Sequence, residues 1–151
     1  MDMGQTDFVI GDISMDGFQV VRGLYFSRML EPSLKLWNTA ISFNVQAYSA
    51  LNNCESVQML VNLEQRKILV KPVPSKEPDA INWIRDPAKP KTTKMECSLF
   101  TRQLFTKWGW DDTYQYRTNG KLVKFDKKLM LLFDFNRPEL WQGMKLVRED
   151  G

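Results

Sequence analysis

An α+β fold is predicted by a pattern that occurs twice along the chain. Over residues 41–73 and again over 96–135, a short apolar run leads into a stretch of helical spacing, followed by two alternating runs around a polar turn. The two stretches share this order and few residue identities. They read as two βαββ-like units, able to close into a barrel, behind an N-terminal β extension. At 151 residues the chain is one domain's worth of protein, and the two units would share a core.

Residues 1–16 hold Asp2, Asp7, Asp12 and Asp16 with Gly4 and Gly11 and no Lys or Arg. This composition predicts a flexible acidic leader. Residues 17–71 take in the β extension and the first unit. Phe18-Gln-Val-Val-Arg22-Gly23-Leu-Tyr25-Phe26 is rich in β-branched and aromatic residues, with Gly23 at a bulge. Pro32 interrupts, and Leu34-Lys-Leu36-Trp37 resumes the extended pattern. Ile41-Ser-Phe43 reads as a short strand. Asn44 is a good N-cap for a helix over Val45 to Leu51 that Asn52-Asn53 ends. Val57 to Leu63 and Lys67 to Lys71 then form a hairpin around Glu64-Gln65-Arg66, closed by Pro72 and Pro74, because proline cannot donate to a central ladder.

Residues 72–94 carry five prolines and the run Lys89, Lys91, Lys94. They read as a linker, with Ala80 to Ile84 docking on the core. Residues 95–141 repeat the earlier order. Met95-Glu-Cys97 is a short strand and Ser98 an N-cap. Leu99, Phe100, Leu104, Phe105 and Trp108 recur at helical spacing before Gly109 stops the helix. Asn119-Gly120 between alternating runs predicts a hairpin turn. A last strand over Leu129 to Phe135 ends at Arg137-Pro138, and 142–151 reads as a polar tail.

The absence of histidine narrows the chemistry more than any motif. It removes Ser-His and Cys-His nucleophile pairs, a His general base near neutral pH and His metal ligands. Cys54 and Cys97 are far apart, outside any C-x-x-C spacing, and read as free thiols of a reducing compartment. No G-x-S-x-G, P-loop or G-x-G-x-x-G is present. Asp111-Asp112 and Asp134 with Glu139 lack the D-x-n-[DE]-x-K spacing of a Mg²⁺ nuclease, and the first pair reads as turn residues. A non-enzymatic protein without cofactor or metal is expected. The start lacks a cationic signal region and the apolar run Leu129 to Phe133 is too short to span a bilayer, so a cytoplasmic chain without membrane contact is expected.

Charge is uneven. Residues 1–63 hold three basic and six acidic groups, and 64–151 hold 18 and 12. The cations Lys89, Lys91, Lys94, Arg102, Lys107, Arg117, Lys121 and Lys124, extended by Lys127 and Lys128, are interleaved with Trp108, Trp110, Tyr114 and Tyr116. Basic groups would pair with phosphates and exposed rings would stack on bases. The plainer alternatives are that the cations form a solvated face and that Phe100, Phe105 and Trp108 are core.

Ile41-Ser-Phe-Asn44, the short helix, and Val57 to Val73 with its terminal Lys71-Pro72 resemble the strand-helix-hairpin unit of AbrB-type DNA-binding proteins, and a tandem pair is similar to the MraZ family. This resemblance covers about half of the chain. It departs from the family at Ser42 and Asn44, where a basic stretch and a proline are usual. The chain also resembles small proteins of Firmicutes mobile elements and prophages through Phe18-Gln-Val-Val-Arg22-Gly, Trp108-Gly-Trp110, Tyr116-Arg117 and Phe133-Asp134-Phe135. That likeness implies a genetic context, whose accessory proteins include DNA-binding regulators, and with the basic stretch 89–128 the expectation is a nucleic-acid-binding accessory or regulatory protein whose partner is DNA. It also leaves open an anti-CRISPR-type inhibitor that docks on a host defence nuclease, or an assembly protein; a homodimer is compatible with each.

Overall fold

A computed structural model describes residues 11–12, 14–20, 31–86, 88 and 91–148. Along these residues run β1 (Ser33–Leu36), β2 (Ala40–Phe43), α1 (Val45–Ala50), β3 (Ser56–Asn62), β4 (Lys67–Pro72), β5 (Ile81–Asn82), β6 (Thr93–Glu96), α2 (Ser98–Trp108), β7 (Gln115–Phe125), β8 (Lys128–Asp134), β9 (Glu139–Gln142) and β10 (Lys145–Arg148). All ten strands belong to one antiparallel sheet, ordered β5-β3-β4-β8-β7-β1-β2-β6, with β9 on β7 and β10 on β9.

The class is therefore mostly β. Strands take 43% of the described residues and the two helices 14%, and the sheet curls into a half-barrel. This corrects the α+β expectation of two βαββ units. The linear order short strand, helix, strand, strand does occur twice, as β2-α1-β3-β4 and β6-α2-β7-β8. Neither set closes on itself. β2 pairs with β6 and β4 with β8, so the strands of the two stretches are pooled in a common sheet.

The long strand β7 joins the two halves of that sheet. Its first part pairs with β1 on one side (Lys35↔Arg117, Leu36↔Tyr116) and with β9 on the other (Arg117↔Glu139). From Gly120 onward it pairs with β8 (Gly120↔Phe133, Leu122↔Leu131). Asn119-Gly120 is thus mid-strand, not a hairpin turn. A Cβ on Gly120 would stand 2.6 Å from Phe133 Cε1, so glycine is needed for the close approach of a ring and not for a reversal. The turn falls at Asp126-Lys127, both with positive φ (54° and 65°), the backbone that two-residue hairpins require.

Local signals hold at several other points. The Asn44 Oδ1 accepts from Ala47 N at 3.0 Å and also from Ser33 N at 2.9 Å, so the cap of α1 ties the helix to β1. Gly109 closes α2 in the left-handed conformation (φ 66°). Cys97, not Ser98, holds the N-cap position of α2 and gives no side-chain bond. Leu99 is 88% exposed, and Thr101 is buried in its place, with Oγ1 donating to Asn38 O at 2.8 Å. The β3–β4 hairpin forms around its charged turn, where Arg66 has φ 56°. Residues 142–148 are not a tail, since β9 and β10 form a hairpin around Gly143 (φ 62°). In the expected N-terminal strand, Phe18 and Val20 are exposed and outside any strand; Val21 to Phe26 and residues 1–10 of the acidic leader lie outside the described residues.

Alternation along each strand turns Leu34, Leu36, Ile41, Phe43, Val57, Ile68, Val70, Leu131 and Phe133 into one core, joined by Tyr48 of α1 and Leu104, Phe105 and Trp108 of α2. Each fully buried Leu, Ile or Phe contributes roughly 1.5–3 kcal/mol. Trp83, at the end of β5, is 1% exposed, packs edge-on to Phe43 and Tyr48, and donates from Nε1 to Cys54 O at 2.6 Å. The apolar stretch within the Pro-rich segment does dock on the core.

Candidate functional site

The inner face takes Leu34, Leu36, Ile41, Phe43 and Tyr116, so their neighbours in sequence point outward. Register then lines up one residue from each of five strands across the outer face. The row runs Lys94 (β6), Ser42 (β2), Lys35 (β1), Arg117 (β7) and Glu139 (β9). Two positions along β9 from Glu139, and just past the end of β1, stand Trp141 and Trp37. The Lys35 Nζ is 5.2 Å from the Trp37 ring centroid and 4.8 Å from that of Trp141, and Lys94 Nζ is 4.6 Å from Trp37. The result is an alternation of cation, ring, cation and ring across the sheet. Each such contact is worth about 0.5–1 kcal/mol when exposed.

Electrostatics within the row are uneven. Arg117 Nη1 donates to Glu139 Oε1 at 3.0 Å, with side chains only 17% and 10% exposed, and Trp141 Nε1 donates to the same oxygen at 2.9 Å. Arg117 is therefore committed to an internal pair. Lys35 lies directly opposite it, and burial, reinforced by the Arg117 charge, pushes the Lys35 ammonium below its ordinary pKa despite the pull of Glu139. Three cations stand against one carboxylate in the row, of which Lys94 is exposed, Lys35 and Arg117 are partly exposed, and Glu139 is buried.

The expected cations separate into several groups. Lys94 and Arg117 come together in the row. Lys121 lies on the same face of β7 four residues beyond Arg117, whereas Lys124 has the opposite parity and is exposed toward the hairpin end. Arg102 is exposed on α2, and Lys107 on the same helix pairs with Glu64 at 3.2 Å. Lys91 is exposed ahead of β6, and Lys89 lies outside the described residues. The interleaved aromatics do not face solvent as a set. Trp108 and Tyr116 are buried, Trp110 stacks on Tyr116 at 4.0 Å, and Phe100 and Phe105 belong to the same packing. Sequence reasoning missed Lys35, Trp37 and Trp141. Their signal is the i, i+2 spacing of Lys35 with Trp37 and of Glu139 with Trp141, which puts each pair on one face of a strand.

The carboxylates have structural partners. Asp111 Oδ1 accepts from Thr113 N (2.8 Å) and Oγ1 (2.6 Å), bonds that lower its pKa. Among the described residues no three of Cys, Asp and Glu cluster to hold a metal ion. Both thiols are free and half-buried, and burial raises their pKa values, which keeps them protonated at neutral pH. No helix among the described residues is long and apolar enough to cross a membrane.

A mostly β half-barrel with a cationic and aromatic outer face is the class that these features define. No protein-family model matches the chain, and no curated protein or solved structure matches it. Nothing in these comparisons bears on the resemblance to AbrB-type or mobile-element proteins.

Proposed function

We propose that the chain is a non-enzymatic nucleic-acid-binding accessory or regulatory protein of a bacterial mobile element or phage, and that its DNA partner lies across the outer face of β6, β2, β1, β7 and β9. The alternation of Lys94, Trp37, Lys35 and Trp141 carries this reading. A base stacks on a tryptophan face while the ammonium beside it turns to the adjoining phosphate, and the exchange of a cation–π contact for an ion pair costs little. Stacking is tolerant of base identity, which suits a binder of limited sequence preference. The genetic context rests on the sequence resemblance alone.

The test is a titration of tryptophan fluorescence with single-stranded and duplex DNA at several salt concentrations, beside Trp37→Ala, Trp141→Ala and Lys94→Glu. Losing one stacking ring is expected to cost about 1–3 kcal/mol of binding. Log affinity should fall with log salt with a slope of about −0.7 per phosphate contacted by a single strand. Absence of binding at low salt to either form of DNA defeats the proposal.

A second reading, an inhibitor docking on a host defence nuclease, is favoured by the β7–β8 hairpin end, where Leu122, Phe125 and Leu129 are exposed beside Lys124, Lys127 and Lys128. Inhibition of such an enzyme without free-DNA binding selects it.

A further inference from the structure

Beyond the Lys–Trp row, the outer face of β7 runs into a groove of about 380 Å³ whose lining includes Lys67, Lys121, Arg137, Asp134, Asn119 and Asn136. Three cations face one carboxylate, and that carboxylate is already engaged. Asp134 Oδ1 accepts from Asn136 N at 2.9 Å and from Asn136 Nδ2 at 2.6 Å. Lys67 is the register partner of Asp134 on β4, and Lys121 stands opposite Leu132 on β8. The lining thus keeps an excess of two positive charges at neutral pH.

Asn119 supplies the second, independent observation. Its Oδ1 is buried and has no hydrogen-bond partner, a state that costs roughly 1–3 kcal/mol for a neutral polar atom. Asn119 lines the groove, and its Oδ1, shielded from solvent as the fold stands, becomes available to a ligand donor by rotation of the carboxamide.

We infer that the groove binds a phosphate group with a hydrogen-bond donor beside it, as in a nucleotide. The charge of a phosphate dianion matches the excess on Lys67, Lys121 and Arg137, and the neighbouring sugar hydroxyl or base amine satisfies Asn119 Oδ1. A terminal phosphate, on a free mononucleotide or at the end of a strand, presents this dianion, whereas a backbone phosphodiester brings one negative charge to the same cations. The strand source rests on the proposed function, because Arg117 and Lys121 are separated by about 13 Å of extended backbone and one short single strand reaches both. Phosphate recognition itself stands on the groove alone.

The experiment is amide NMR on the full chain, titrated in turn with inorganic phosphate, adenosine 5′-monophosphate, and a short oligothymidine with and without a 5′-phosphate. Inorganic phosphate and the mononucleotide are expected to shift the amides of Asn119, Lys121 and Asn136, with the Asn119 side-chain amide moving only for the nucleotide. Lys121→Gln and Arg137→Gln, both at exposed positions, should each weaken these shifts at least several-fold. Tighter binding of the 5′-phosphorylated oligomer identifies a terminal phosphate, and equal binding of both that Lys121→Gln weakens identifies a backbone phosphate. A chain carrying Trp37→Ala and Lys94→Glu should keep the phosphate-induced shifts, so loss of strand binding at the row is read separately from loss of the groove. If neither phosphate nor mononucleotide moves the groove amides at millimolar concentration, or the two Gln variants leave the shifts unchanged, the inference is overturned.

Discussion

Replacing Gly120 by alanine tests the central packing relation of the fold. The added methyl would meet Phe133 at 2.6, 2.9 and 3.0 Å from Cε1, Cζ and Cδ1, whereas carbon atoms pack best at about 3.5–4.0 Å. The ring has to give by about 1 Å and has little room to do so. Phe133 is fully buried, with Phe43 at 5.9 Å between ring centroids. Overpacking of this kind costs about 1–3 kcal/mol. Against it, alanine narrows the unfolded ensemble by about 0.4–1 kcal/mol. The net expectation is a loss of about 1–2 kcal/mol, which lowers a urea midpoint followed by far-UV circular dichroism by about 0.5–1 M for an m-value near 2 kcal/mol/M. A second substitution isolates the cause. Phe133→Leu costs stability alone, but combined with Gly120→Ala it should lose clearly less than the sum, because the clash has gone. A Gly120→Ala protein as stable as the parent, or a double variant whose losses simply add, would refute the reasoning.

The reversal of β7 into β8 gives the opposite expectation. Lys127 has φ 65°, a conformation that costs a non-glycine residue about 1–2 kcal/mol, so Lys127→Gly should raise the urea midpoint by the equivalent of about 0.5–1 kcal/mol after the entropy cost of glycine. The pH dependence of stability should carry a signature of Asp134. Burial pushes its pKa up, but the Asn136 side chain and backbone N–H, with Lys67 and Lys121, outweigh burial and hold it below 3.8. The ionised carboxylate thus favours the folded state above its unfolded pKa, and this contribution is lost as pH falls through the lower folded value. Denaturant midpoints measured from neutral pH down through the carboxylate range should therefore decline less steeply in Asp134→Asn than in the parent chain.

How much of this fold is legible in the sequence depends on the range of the signal. Asn44, Gly109 and the charged β3–β4 turn act within a few residues, and each is found where local chemistry puts it. Asn119-Gly120 failed because the same glycine can serve a turn or a close contact, and only the partner strand decides which. β10 carried no signal at all: all four of its residues are exposed, so no hydrophobic alternation marks it, and backbone pairing to β9 alone defines it. The fold class is hidden from the sequence for a related reason. Strand, helix, strand and strand are local facts, but whether two such runs make two units or one sheet is settled by β2–β6, β4–β8 and the insertion of β1 beside β7, which are pairings between distant segments.

The candidate site likewise depends on pairings between distant segments. Counting charge along the chain assigned Lys35 to the acidic half and made Arg117 part of a basic run. Register reverses both, placing Lys35 directly opposite Arg117 while Glu139 neutralises the arginine. Like charges opposite each other on one sheet face are destabilising, and burial adds to the cost at Lys35. Glu139 offsets one of the two cations, and the other is met by the rings of Trp37 and Trp141 and by the Gly143 carbonyl, to which Lys35 Nζ donates at 3.4 Å. A face chosen for stability alone would replace Lys35 by a neutral residue. An anion laid across Lys94 and Lys35 would relieve the remaining repulsion, and for this reason the row, more than the linear basic run, is where the DNA partner is proposed to lie.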